Sequence, residues 1–292
     1  MELSKFNKGI LLTSLGSFWW GVIGVIYFQY FSFVGHIELV MHRCLWTALM
    51  LILTTTYYSK WSFFFKIIKN KNNLFILFIT SFLIFTNWSV WIYAVATDKI
   101  IDASFGYFIM PILSLFFGYF FFKEKLNFKR ITAIILVLIS ISYLLINFKS
   151  IPWVGFVVAF CWAVYNLLRK KISIETDIGL LIESIFILPF ALIVFYFLIQ
   201  NNLNDFSFNN ISLMFLLILA GPMTVIPLFL YVKGVELCGL GPTGMVFYIT
   251  PTFQFLLGFF YFNESFSNHK LISFILIWIA VFIYLKDLYE NK

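Results

Sequence analysis

Long apolar runs separated by short polar connections dominate the chain. A membrane-spanning helix needs about 20 mostly apolar residues, and runs of that kind recur from end to end. The connections between them are too short to hold a soluble domain. Lipid cannot satisfy exposed backbone polar groups, so bundled helices are the architecture that these runs favour. The ten predicted spans cover residues 8–31, 34–57, 73–96, 101–122, 130–148, 152–169, 178–199, 211–232, 242–262 and 270–287.

The composition also indicates an integral membrane protein. Of the 292 residues, 62% are hydrophobic and 11% are charged, whereas an average soluble domain carries about 25% charged residues. The net charge is +7, but the basic residues are confined to the short connections, which argues against nucleic-acid binding. Cys44, Cys161 and Cys238 are widely spaced and match no disulfide or zinc pattern. No nucleotide-binding or metalloprotease motif is present, so no cofactor is expected.

The distribution of Lys and Arg predicts the orientation in the membrane. With the N-terminus in the cytoplasm, most of the 20 basic residues fall in cytoplasmic connections. Only Lys99, Lys149 and Lys270 fall outside, and Arg43 lies within a span. Cytoplasmic loops of membrane proteins carry such an excess of basic residues. We therefore predict a multi-pass protein of a bacterial inner membrane, with both termini cytoplasmic.

An internal repeat relates the two halves of the chain. When predicted helix four is laid over predicted helix nine, three pairs coincide at a single offset. These pairs are Pro111 with Pro251, Gly118 with Gly258 and Glu124 with Glu264. The repeat unit then contains five helices, and an odd number turns the second copy upside down in the membrane. We predict one repeat over residues 1–148 and an inverted repeat over residues 149–292, a pattern typical of alternating-access transporters.

Several motifs resemble the RarD group of the EamA family, in the drug/metabolite transporter superfamily. In chain order they are "ELVMHR", "NWSVWIYAV", "ASFGYFIMP", "YNLLRKK", "GLLIESIFILP" and "TVIP". The resemblance covers nearly the whole chain. It implies ten helices in two inverted five-helix repeats, a central substrate cavity, and peripheral fifth and tenth helices. Met110 and Phe247 stand where the family usually has polar residues, so the resemblance does not carry over a substrate.

Arg43 lies deep inside the second predicted span. From an outer start near Val34 it is about nine residues in, or roughly 13 Å at 1.5 Å per residue. Charged residues at depth usually face the interior of the helix bundle. Two interpretations stay open. Arg43 pairs with Glu38, Asp98 or Asp102 at the outer helix ends, or it lines the cavity as a cation for an anionic or carbonyl group.

The titratable residues His42 and Glu183 are near partners in the repeat, so they are predicted at opposite depths. Glu183 suits a proton-coupling site or a site for a substrate cation. Alternatively, it is a structural carboxyl bonded to Tyr165 or Asn166 nearby. Glu124 falls at a cytoplasmic helix end, where we predict that it is solvated.

The remaining candidates are polar, aromatic, proline and glycine residues within the spans. Asn87 is polar at mid-membrane and needs partners, and the Trp residues beside it are either packing residues or cavity wall. The candidate cavity residues are His42, Arg43, Asn87, Trp88, Trp91, Tyr107, Tyr165, Glu183 and Tyr248. The candidate structural or gating residues are Gly21, Glu38, Asp98, Asp102, Pro111, Pro227 and Pro251.

These observations predict a secondary active transporter of a small organic metabolite or drug-like solute, and not an enzyme. The expected partners are the small-molecule solute and the lipid bilayer. Coupling to protons is left open, and the protein is expected to be a monomer or a homodimer. One alternative is an intramembrane enzyme using His42 or Glu183, but no nucleophile–base pair or metal set is visible. Another is a non-transporting receptor, which would have no need of two mirrored halves.

Overall fold

The computed structural model describes residues 4–31, 33–96, 100–146, 153–172, 174–261 and 268–290. Within these ranges the side chains at 95, 96, 100–105, 258, 259, 268 and 270 are not described. Nearly all of the described residues are helical, and none of them lies in a strand. The all-helical class predicted from the apolar runs is therefore confirmed.

Seven helices lie in the described part of the first half, one of them continued by a turn of π-helix. Helix α1 runs through the π-helical turn Trp20–Gly24 directly into α2. The bounds are α1 Lys5–Trp19, α2 Val25–Tyr30, α3 His36–Tyr57, α4 Trp61–Ile68, α5 Lys71–Ala96, α6 Ile100–Phe122 and α7 Phe128–Ile146.

The second half contains a further seven helices in the described residues. Their bounds are α8 Trp153–Lys171, α9 Thr176–Gln200, α10 Ile211–Ile218, α11 Ala220–Cys238, α12 Leu240–Val246, α13 Ile249–Phe260 and α14 Asn268–Glu290. Helices cover most of every predicted apolar run, and α10 with α11 extends the eighth run by six residues, from 232 to Cys238.

Seven helical segments among the described residues are long and apolar enough to cross a membrane. They are Lys5–Tyr30, His36–Tyr57, Lys71–Ala94, Phe128–Ile146, Thr176–Gln200, Ile211–Cys238 and Leu271–Glu290. Gly106–Phe122 is a shorter apolar helix. The chain is therefore a multi-pass membrane protein.

The connection between α3 and α5 contains the short helix α4, which was not among the predicted spans. None of the residues of α4 is buried, and Phe63 and Phe65 are exposed on it. Trp61 Nε1 donates a hydrogen bond to Thr56 Oγ1 at 3.1 Å. Exposed aromatic residues beside Lys66 are typical of a helix that lies on a membrane surface.

The ninth predicted span is interrupted, and the fourth is not. Helices α12 and α13 are separated at Phe247 and Tyr248, shortly before Pro251. Proline has no amide hydrogen to donate, and Thr250 N donates to Phe247 O at 2.9 Å in this turn. Helix α6 continues through Pro111. Both prolines are buried within the protein.

Close helix approaches occur around the predicted gating residues. A Cβ atom on Gly21 would lie 3.0 Å from Thr250 O, so the π-helical turn lies directly against α13. Pro227 is buried inside α11, and its carbonyl oxygen lies 2.9 Å from where a Cβ on Gly16 would be. Small residues at such crossings allow the backbones to come together.

The helices pack as a bundle with one large apolar core. Helix α1 packs on α11, α3 on α9, and α8 on both α5 and α6. Helices α7 and α14 pack mainly on each other and contribute to a separate apolar cluster, with residues of α6 and of the α12 region. They contribute nothing to the described lining of the central cavity.

Candidate functional site

A cavity lies among the helices of both halves. The space that the centres of water molecules can occupy in it is about 60 Å³. When all the space between the atoms is counted, out to the open side of the cavity, the volume is about 570 Å³. One water needs roughly 10–15 Å³ on the first measure, so several waters or a small ligand fit. The residues that line this central cavity are Trp20, Gly24, Phe28, Arg43, Asn87, Trp88, Trp91, Tyr107, Trp162, Phe247, Thr250 and Gln254.

Arg43 lies in the cavity wall with its guanidinium between two aromatic rings. The Cζ atom lies 4.8 Å from the centroid of Phe28 and 4.7 Å from that of Trp88. Nε donates a hydrogen bond to Thr224 Oγ1 at 3.2 Å. The side chain is 6% exposed. Cation–π contacts of this kind partly replace lost hydration, so aromatic faces and one hydroxyl hold Arg43.

The predicted carboxylate partner of Arg43 is not found among the described side chains. No described carboxylate oxygen lies within 4.0 Å of its guanidinium nitrogens. Asp98 lies outside the described residues, as does the side chain of Asp102. The suggested pairing with Glu38 is wrong, because the Glu38 carboxylate turns away to bind backbone amides.

Glu38 binds the connection between α9 and α10. Its Oε2 accepts from Asp205 N at 2.7 Å, and its Oε1 accepts from Phe206 N at 2.9 Å. His42 Nε2 lies 3.3 Å from Glu38 Oε1, one helical turn away. Trp46 Nε1 donates to His42 Nδ1 at 2.9 Å, which places the proton of a neutral His42 on Nε2, toward Glu38. These contacts hold the connection between α9 and α10 against α3.

Glu183 is enclosed in a second polar network, away from the central cavity. Thr80 Oγ1 donates to Glu183 Oε1 at 2.6 Å, and Tyr165 OH donates to Oε2 at 3.1 Å. Arg169 Nε lies 3.6 Å from Oε1, which is an ion-pair distance but too long for a hydrogen bond. All four side chains are buried. The predicted contact between Glu183 and Tyr165 is therefore present, whereas Asn166 Nδ2 donates to Trp162 O instead.

Arg169 was not among the predicted site residues. The basic sequence "RKK" at the end of α8 was counted among the cytoplasmic basic residues, yet Arg169 is only 3% exposed. Its Nη2 donates to Thr176 O at 3.2 Å. A Cβ atom on Gly179 would collide with the guanidinium. The glycine in "GLLIES" therefore leaves the space into which Arg169 turns toward Glu183.

Five of the predicted cavity residues line the central cavity. Asn87 Nδ2 donates to Val158 O at 2.9 Å, and Tyr107 packs its ring 5.7 Å from that of Phe247. The five are Arg43, Asn87, Trp88, Trp91 and Tyr107.

The other four predicted cavity residues lie outside the lining. Tyr248 is 2% exposed, and its hydroxyl donates to Phe108 O at 2.8 Å. Tyr165 stacks on Trp162 behind the wall. His42 faces Phe195 and Phe206 because it lies about 100° round α3 from Arg43. Glu183 borders a separate small void of about 10 Å³.

The model of the EamA-like transporter family matches residues 7–146 and 149–286. The chain belongs to the EamA-like transporter family. This RarD-like chain is 31% identical to "Protein RarD" of Escherichia coli (strain K12), over 98% of this chain and 97% of that protein. It is 32% identical to an uncharacterised transporter of Vibrio cholerae serotype O1, over 96% and 93% of the two chains. The resemblance noted in the motifs is confirmed.

A solved structure supports the same fold. A crystal structure whose chain is 14% identical aligns over 94% of this chain and 96% of its own, with a TM-score of 0.69. At this identity the likeness shows the fold alone. The family membership and the relatives named transporters identify the chain as a membrane transporter of the drug/metabolite type.

This EamA-like transporter has cavity residues that the sequence interpretation missed. They are Trp20, Gly24, Phe28, Trp162, Phe247, Thr250 and Gln254. Trp20 had one visible signal, because it lies too far into the first span for an interfacial belt. Trp20 and Gly24 begin and end the π-helical turn, and such turns are frequent at functional sites. Among the described residues, no group of three or more His, Cys, Asp or Glu could hold a metal ion.

Glu124 is a structural residue rather than a solvated one. Its Oε1 accepts from Leu240 N at 2.8 Å and from Lys170 Nζ at 2.9 Å, and its Oε2 accepts from Gly241 N at 2.8 Å. Gly239 adopts φ +98°, and a Cβ there would lie 2.6 Å from Glu124 Oε1. The glycine therefore lets the start of α12 turn its amides onto this carboxylate. The contact joins the end of α6 to the end of α8 and the start of α12.

Proposed function

We propose that the chain is a secondary active transporter that moves a small organic solute across a bacterial inner membrane by alternating access. The central cavity is the proposed substrate site. Its wall combines residues of the first half, such as Arg43 and Asn87, with residues of the second half, such as Trp162 and Phe247. Transporters built from inverted repeats place the substrate site at this kind of interface. This shared cavity is the observation that carries the proposal.

Contacts between equivalent residues support two inverted repeats of five spans, over 1–148 and 149–292. At the offset that relates Pro111 to Pro251, Tyr107 corresponds to Phe247 and Phe108 corresponds to Tyr248. The rings of Tyr107 and Phe247 are 5.7 Å apart, and Tyr248 OH donates to Phe108 O. A two-fold axis in the membrane plane brings equivalent residues near it into contact. The two family-model matches divide the chain at the same place.

The ion pairs support a state that is closed on the cytoplasmic side. Lys60 of the first half bonds Glu175 at 2.9 Å and Asp177 at 2.6 Å, both in the second half. Conversely, Lys170 of the second half bonds Glu124 of the first half. All these residues lie at the Lys-rich ends of the helices, while the cavity residues lie toward the other ends. The proposed state therefore offers the central cavity to the outer side.

The proposed orientation predicts the accessibility of two engineered cysteines. Cysteine replacing Asn72, in the Lys-rich connection, is expected to react with a membrane-impermeant maleimide only after the cells are opened. Cysteine replacing Asn204 is expected to react in intact cells. Cys44, Cys161 and Cys238 are buried and serve as the silent background. Reaction of both cysteines from the same side would contradict the orientation.

Uptake into proteoliposomes tests the transport function itself. A panel of radiolabelled organic acids, amino acids and amines is offered to vesicles that contain the full chain, with an imposed proton gradient and without one. Protein-free vesicles give the background. We expect saturable uptake of at least one solute above that background. Binding without any uptake would favour a receptor, and chemical conversion of a solute would favour an enzyme.

A further inference from the structure

We propose that the central cavity selects small organic monoanions with a flat apolar body, and that it discriminates against the matching zwitterions and cations. This inference rests on the proposed transport function, because it names the class of solute for the same cavity. It depends on three features of the wall. These are the free edge of Arg43, the lack of an available negative charge among the described residues, and the shape of the aromatic surface.

The hydrogen-bonding edge of Arg43 is left open by its contacts. Phe28 and Trp88 lie against the guanidinium, and Thr224 takes the Nε hydrogen. No described residue accepts a hydrogen bond from Nη1 or Nη2, and neither atom is among the fully enclosed polar atoms without partners. Both nitrogens therefore have access to the cavity. Two parallel N–H donors in one plane match a carboxylate, which they bind in bidentate fashion.

No described group in the wall offers a counter-charge to a cation. Apart from Arg43, the polar groups of the described lining are neutral: the side chains of Asn87, Tyr107, Thr250 and Gln254, and the indole N–H groups of the Trp residues. The nearby carboxylates are already engaged, Glu38 by two backbone amides and Glu183 by Thr80, Tyr165 and Arg169. An ammonium group in this cavity would meet the positive charge of Arg43 with no described carboxylate free to offset it.

The aromatic wall does not change this preference for anions. Aromatic cages can bind cations through their ring faces, but Phe28 and Trp88 already hold the Arg43 guanidinium. Trp20 packs edge-on against Trp162 at 5.3 Å, and Phe28 against Trp91 at 5.5 Å. These surfaces suit a flat hydrocarbon body. The cavity, with about 60 Å³ open to the centres of water molecules, has room for several waters or a small ligand.

Three probes that share a phenylethyl group test the charge preference. 3-Phenylpropionate is an anion, phenylalanine adds an amine to it, and phenethylamine keeps the amine without the carboxylate. Binding of each is measured by equilibrium dialysis on the purified full-length chain at neutral pH. We expect 3-phenylpropionate to bind at least about tenfold more tightly than either of the others, which corresponds to about 1.4 kcal/mol. Equal or tighter binding of phenylalanine or phenethylamine would overturn the inference, as would no binding of 3-phenylpropionate at millimolar concentration.

Variants of Arg43 test the proposed contact. Arg43→Leu is expected to lose at least about tenfold in 3-phenylpropionate affinity, with no loss for phenethylamine, while Arg43→Lys keeps part of the anion affinity. Lys129→Gln removes the same charge at an exposed site, in an ion pair with Glu290, and should bind as the wild type does. Unchanged anion binding in a folded Arg43→Leu variant would overturn the inference.

The flux assay separates this inference from the proposed function. Binding of 3-phenylpropionate that depends on Arg43, without uptake of any solute into vesicles, would support the anion site and contradict transport. Uptake of another solute by a chain that does not bind the anion would leave the transport function and overturn the anion site.

Discussion

Arg169→Met alone is expected to lower the free energy of unfolding by about 3–5 kcal/mol, because it leaves the Glu183 carboxylate buried without its cationic partner. Glu183 keeps only the hydroxyl donors Thr80 and Tyr165 in that variant. The double variant Arg169→Met with Glu183→Gln removes both charges and keeps an oxygen that can accept from those hydroxyls. It is expected to recover most of the loss. A double-mutant cycle, read from denaturant titration in detergent micelles, gives the coupling between the two charges.

Two further variants make this prediction specific. Lys60→Met breaks an ion pair that is partly exposed, and such pairs contribute about 0–1 kcal/mol. Gly179→Ala alters no charge, but its methyl group takes the space of the Arg169 guanidinium, so it should resemble Arg169→Met. If Arg169→Met costs no more than Lys60→Met, or if the double variant is no more stable than the single one, the pair does not stabilise the fold.

The overall fold could be predicted from the sequence because the bilayer imposes a simple length rule. Spans of about 20 apolar residues are readable one by one, and helices cover most of each predicted run. The break before Pro251 also has a local cause in the missing amide. The π-helical turn Trp20–Gly24 has no comparable local signal, since it depends on the close approach of α13 to Gly21.

The site was only partly predictable from the sequence. Arg43, Asn87, Trp88, Trp91 and Tyr107 line the cavity as predicted, but His42, one residue from Arg43, does not, because it lies on another face of α3. Arg169 was counted among the basic residues of the cytoplasmic connections, because charge counting uses only position along the chain. Its burial depends on the space that Gly179 leaves on a different helix.

Glu124 shows the same limit at the closed end of the bundle. Its partners Leu240 and Gly241 are far along the chain, and they can reach it only because Gly239 adopts a positive φ. The sequence around the end of α6 cannot reveal that Glu124 accepts hydrogen bonds from the amides at the start of α12. The Glu124 carboxylate joins the end of α6 to Lys170 on α8 and to the start of α12. We therefore expect closure of this end of the bundle to depend on Glu124.

Glu124→Gln is expected to open the Lys-rich end of the bundle and expose Cys238. An amide has one acceptor oxygen and one NH₂ donor, so it cannot accept from Leu240 N, Gly241 N and Lys170 together. Each buried donor left unpaired costs about 1–3 kcal/mol, which corresponds to roughly a 5- to 150-fold rise in the open population. Cys238 precedes Gly239 directly and is only 9% exposed. Its reaction rate with N-ethylmaleimide, measured with Cys44→Ala and Cys161→Ala in the same chain, should rise by about that factor.

The matched control is Glu290→Gln, which weakens an exposed ion pair with Lys129 at the same end of the bundle. It changes the same functional group but leaves no buried amide without an acceptor, so the labelling rate of Cys238 should stay at the wild-type value. The midpoint of thermal unfolding, recorded on the same samples, distinguishes local opening from loss of the fold. Equal labelling rates in the two variants would mean that Glu124 does not hold this end closed, and that the ion pairs of Lys60 with Glu175 and Asp177 suffice.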